Sequence, residues 1–140
     1  MILYLETSNL VKLYVKEAGS EEIKKIITES DVAATSVVSY VEARAAFARK
    51  LRAGELTAGD HGKIKADLDR DWYSFFVLNL TDGLVRAAAE VAEKHGLRAY
   101  AAVHLAAAIE LKAAVLPTTS IIFLSADDRL REAARQEGLG

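Results

Sequence analysis

Three acidic residues stand where an apolar run ends or a helix begins, and they are the first candidates for chemistry. Glu6 follows Ile2-Leu3-Tyr4-Leu5, Glu42 lies three residues after Ser39, and Asp127 follows Ile121-Ile122-Phe123-Leu124-Ser125-Ala126. Carboxylates are hard oxygen donors, and Mg2+ or Mn2+ takes one or two of them with water completing the shell. An ion held in this way can activate water and neutralise charge on a phosphodiester. Each acid also has a structural explanation. Glu6 can be a solvated charge or a partner of the next helix dipole. Ser39 and Glu42 have the spacing of a capping box. Asp127 is a favoured N-cap, and Asp128 suits a first helical turn. Taken together, acids at two strand ends and one helix start can converge at one sheet edge.

Other chemistries fare worse. The chain has no cysteine, which excludes disulfides, thiolate zinc sites, iron–sulfur clusters and cysteine nucleophiles. His61, His95 and His104 do not form a His-Glu-x-x-His zinc pair, and no glycine-rich phosphate loop or Gly-x-Ser-x-Gly elbow is present. His104, in an alanine-rich run, reads as a hydrogen-bonded core residue, and His95 as a helix C-terminal cap. Arg44, Arg49, Lys50 and Arg52 fall on one helix, either as a solvated face or as phosphate contacts. With 18 basic and 20 acidic residues, a net charge of -2, bulk charge alone does not hold nucleic acid, while a local basic patch remains open.

The elements that must position these residues alternate. Strands are expected at residues 2–5, 32–34, 75–78 and 121–124. Helices are expected from Thr7 or Ser8 to about 15, from 20 to 29, and from Ser39 to a stop at Gly54. Further helices run from Thr57 to about 74, from Thr81 to Gly96, over 98–111, and after Asp127. Alternating strands and helices predict one α/β domain over residues 1–140, a three-layer sandwich with a mostly parallel central sheet. Ligand sites in such sheets gather beyond the carboxyl ends of the strands, where Glu6 and Asp127 fall. With 51% hydrophobic residues the chain can fill a core. The opening apolar run is too short for a signal peptide. The longest charge-free run, residues 113–126, contains Pro117 and is shorter than the roughly 18–20 residues a membrane span needs. A soluble, cytoplasmic protein is the expectation.

The segment Ile2-Leu3-Tyr4-Leu5-Glu6-Thr7-Ser8-Asn9-Leu10-Val11-Lys12-Leu13-Tyr14 resembles the opening of PIN domains, specifically the VapC-type toxin ribonucleases. Three later segments agree in order: Thr35-Ser36-Val37-Val38-Ser39-Tyr40-Val41-Glu42, Leu97-Arg98-Ala99-Tyr100-Ala101-Ala102-Val103-His104-Leu105-Ala106, and Phe123-Leu124-Ser125-Ala126-Asp127. The resemblance implies a PIN-like fold and an endoribonuclease that binds Mg2+ or Mn2+ through acids at positions 6, 42, 101 and 127. It also implies a cognate antitoxin protein that covers the site, and commonly a homodimer. Ser8 and Ser125 match small hydroxyl positions that support the acids. The chain departs from the family pattern twice. Glu6 replaces an aspartate, moving the carboxylate out by one methylene. Ala101 replaces another, and a methyl binds no metal. The resemblance therefore implies an enzyme impaired at the vacated Ala101 position, or alternatively an inactive binding module of the same fold that dimerises and binds an antitoxin or RNA.

Overall fold

A computed structural model describes residues 1–140. Four strands, β1 Ile2–Leu5, β2 Val32–Ser36, β3 Phe76–Leu78 and β4 Ile121–Leu124, form one parallel sheet in the order β3-β2-β1-β4. Leu3 pairs with Ala33 on one side and Ile122 on the other. All four residues of β1 are buried, as expected of a central parallel strand covered on both faces.

Seven helices cover the sheet: α1 Thr7–Val11, α2 Ser20–Glu29, α3 Val38–Arg52, α4 Ala58–Trp72, α5 Asp82–His95, α6 Ala99–Ala114 and α7 Asp128–Gln136. Side chains alternate across a strand, so β1 feeds two cores. Ile2 and Tyr4 join a larger one with Leu84, Leu105, Phe123 and Leu130. Leu5 joins a smaller one with Leu10, Phe47, Ile64 and Leu68. These are the three layers expected. Ala106, Ala107 and Ala108 of α6 are buried, and side chains this small let the helix lie close to its neighbours. No helix is long and apolar enough to cross a membrane.

Two boundaries differ from the sequence reading in ways that matter for the site. Helix α1 ends at Val11, where the chain turns through i→i+3 bonds from Leu13 N–H to Leu10 O and from Tyr14 N–H to Val11 O. Helix α3 begins at Val38, ahead of Ser39, because Ser36 Oγ accepts the Val38 N–H at 3.2 Å and Val37 N–H bonds Leu78 O. Ser39 is therefore inside the helix. The Ser39–Glu42 capping box does not form, and the Glu42 side chain is free to point elsewhere.

Candidate metal-binding cleft

Glu6 leaves β1 and becomes the N-cap of α1 with extended backbone. Its Oε2 accepts the Ser8 N–H, and its Oε1 accepts the Ser125 hydroxyl at 3.0 Å. Ser125 Oγ in turn accepts the Asp127 N–H at 3.0 Å, and Ser8 Oγ accepts the Ala126 N–H at 2.9 Å. The two serines thus lace the end of β1 to the end of β4 around the Glu6 carboxylate. Asp127 is the N-cap of α7, its Oδ1 accepting the Arg129 and Leu130 N–H groups at 2.9 and 3.2 Å.

Glu42 projects from the second turn of α3 toward the same sheet edge. Its Oε1 accepts the Thr7 hydroxyl at 2.7 Å and lies 2.7 Å from His104 Nε2. Burial works to raise the Glu42 pKa, but the hydrogen bonds from His104 and Thr7 outweigh it and hold the carboxyl below its usual value. No partner bonds Oε2.

Glu6, Thr7, Ser8 and Glu42 line an open cleft of about 660 Å³. Lys12 and Arg49 line it too, and neither is engaged in an ion pair. The four basic residues singled out in the sequence therefore part company. Arg49 faces the cleft. Lys50 pairs with Glu17 and Glu55 at 3.5 and 3.8 Å. Arg44 donates to Tyr40 Oη at 2.8 Å, and Arg52 is exposed near the helix end. Lys12 went unnoticed in the sequence, although it stands in the opening motif. Only the break at Val11 and the packing of its side chain over Gly19 bring it to the cleft.

The acids do not all share this space. Glu6 and Glu42 do; Asp127 lies beyond the two serines and does not line the cleft. Nowhere do three acidic or histidine side chains converge as a metal-binding set. Ala101 is half-buried in the first turn of α6, packed against the larger core. It precedes His104 by three residues, so the two share a helix face, and His104 touches Glu42.

The donor chemistry fits a hard divalent ion. Three carboxylates line the cleft, of which Glu17 is paired with Lys50 and Glu6 and Glu42 are not in ion pairs with Lys or Arg; Oε2 of Glu42 lacks a protein partner, and Mg2+ is commonly held by one or two carboxylates with waters and substrate phosphates filling the shell. A site with so few fixed ligands would hold an ion only weakly.

Against known proteins, a family model described as "PIN domain" matches residues 3–136. Two curated relatives of Mycobacterium tuberculosis, "Ribonuclease VapC45" and "Ribonuclease VapC49", are each 35% identical to this chain over 112 residues, covering 77% of it and 75% of the relative.

Proposed function

The chain belongs to the PIN domain family, of the VapC type, and from that membership we propose that its cleft is the site of a divalent-metal-dependent endoribonuclease, weakened by the absence of an acid at position 101. The observation that carries the reading is the shared cleft of Glu6 and Glu42 at the carboxyl edge of the sheet.

Glu6 and Glu42 would hold Mg2+ or Mn2+, with Asp127 behind them. When bound there, such an ion polarises a phosphoryl oxygen and makes water a competent nucleophile near neutral pH. The chain's own groups do the remaining work. Ser125 and the Ser8 N–H fix the Glu6 carboxylate, and Thr7 and His104 fix that of Glu42. Lys12 and Arg49 offer cations to the RNA backbone across the cleft, which positions the strand without reading its sequence.

The partners follow from the same family reading. An antitoxin protein would cover the cleft and place a basic side chain against the two carboxylates, a charge-assisted pairing. Two copies of the chain would associate about a two-fold axis, the commonest closed symmetry. Val37 and Val41, four residues apart at the start of α3, and Tyr100 at the start of α6 are exposed large hydrophobics suited to such contacts. An RNA target inside the cell would put the activity in the cytoplasm.

A second reading has its own observation. Every acid of the site already accepts hydrogen bonds from the chain, and no three converge. A domain so satisfied without an ion can serve as a binding module for RNA or an antitoxin. Incubating a structured RNA with the chain, with Mn2+ or with EDTA, separates the two. Slow cleavage that requires the ion and is lost in Glu42→Gln supports the nuclease. RNA retained in a gel shift but never cut, with Mn2+ or with EDTA, supports the module.

A further inference from the structure

The nuclease reading uses Glu42 but leaves unexplained the buried polar chain behind it. His104 is 1% exposed and Tyr4 is 0% exposed, yet both spend hydrogen-bonding groups on one another. Tyr4 Oη lies 2.8 Å from His104 Nδ1, and His104 Nε2 lies 2.7 Å from Glu42 Oε1 and 3.1 Å from Thr7 Oγ1. The roles of these atoms can be assigned. An ionised carboxylate only accepts, so the proton of the imidazole sits on Nε2. In the neutral ring Nδ1 is then an acceptor, and the Tyr4 hydroxyl donates to it. The Tyr4 phenol is fully buried. Its ring cannot turn away easily, being stacked on Phe123 at 5.3 Å with an interplanar angle of 3°.

We infer that His104 is the positioning residue for Glu42: with its tautomer set by Tyr4, it holds one carboxylate oxygen inward so that the other is presented to the cleft. This rests on the ion-binding reading of the cleft. A histidine buried in the core needs partners for both nitrogens, but a structural role alone does not require that one of them be a carboxylate lining the cleft, as Glu42 is. The arrangement has the form of the outer-shell contacts that orient metal ligands, whose loss commonly costs 10–100-fold in affinity.

The test uses the full chain and three variants. His104→Gln keeps an N–H donor close to the place of Nε2, His104→Leu keeps volume but no donor, and Tyr4→Phe removes only the hydroxyl that fixes the tautomer. Two measurements are made: the imidazole 15N resonances of His104 by NMR, and Mn2+ affinity by calorimetry, with thermal melts to confirm folding. The wild type should show the Nε2–H tautomer. His104→Leu should bind Mn2+ on the order of ten-fold more weakly, and His104→Gln should recover most of that loss. Tyr4→Phe should admit the other tautomer and lose several-fold in affinity. An Nδ1–H tautomer in the wild type overturns the inference. So does unchanged Mn2+ affinity in a folded His104→Leu. If that variant does not fold, unchanged tautomer and affinity in Tyr4→Phe overturn it instead. A wild type that binds no Mn2+ while showing the Nε2–H tautomer fails differently: it removes the ion-binding reading, and the purpose of the hold with it.

Discussion

Glu42 is pulled in two directions. Burial favours its neutral form, and the bonds from His104 and Thr7 favour its charge and prevail, so its folded pKa lies below the usual 4.5. A carboxyl depressed on folding adds stability above its unfolded pKa and loses it as pH falls through the folded value. The melting temperature should therefore decline as pH is lowered below about 4.5, and Glu42→Gln should decline less steeply over that range, both followed by circular dichroism. The sequence showed Glu42 as an acid near a helix start and His104 as a hydrogen-bonded core residue. It did not join them, because they are 62 positions apart and meet only when α3 and α6 are laid against the ends of β1 and β2. Glu6 and Asp127 were legible from their strand ends. Their use as N-caps was half legible: Asp127 as expected, Glu6 in place of Thr7 or Ser8.

At the scale of elements, helix termini govern what the site residues can do. Ala101 is the third residue of α6 after its N-cap Arg98, in a first turn that carries no acid. An aspartate there gains from the helix dipole, by about 0.3–1 kcal/mol, a gain set against its repulsion with any carboxylate it approaches. Ala101→Asp should therefore change the metal-free melting temperature by only a few degrees, measurable by calorimetry. Gly19, N-cap of α2, has φ +91°, and a Cβ there would meet Lys12 Nζ at 3.1 Å. Gly19→Ala should cost about 1–2 kcal/mol from the left-handed backbone. It should also weaken RNA binding by displacing Lys12, read as a loss in gel shift. Thr57 and Asp60 form the reciprocal capping box their spacing announces. Ser39 and Glu42 have equal spacing and form none, since Ser36 had already begun the helix. A capping motif records a possible start, and the preceding strand decides which start is used.

The whole molecule places two cores on either side of a four-stranded parallel sheet, and this was the most legible level, because strand and helix alternation leaves few ways to bury a chain with so many apolar residues. The carboxyl edge of that sheet is held together by the chain's own hydrogen bonds, with no buried side-chain donor or acceptor left unpaired. The wild-type fold should accordingly be indifferent to chelation, its melting temperature moving by less than about a degree with EDTA. Light scattering at tens of micromolar should show a dimer; a strict monomer would count against the association proposed here.

The central claim is that Glu6 and Glu42 form an incomplete ion site whose missing ligand belongs at position 101. Titrating Mn2+ into the wild type, Ala101→Asp and Ala101→Asn by calorimetry, and assaying the same samples for RNA cleavage, tests it most directly. An added carboxylate should tighten binding on the order of ten-fold, equivalent to about 1.4 kcal/mol. Ion-dependent cleavage should rise with it, and further in Glu6→Asp with Ala101→Asp. The uncharged Ala101→Asn should do little. Folded aspartate variants, single and double, that bind Mn2+ no better than the wild type and cut no RNA would contradict the claim.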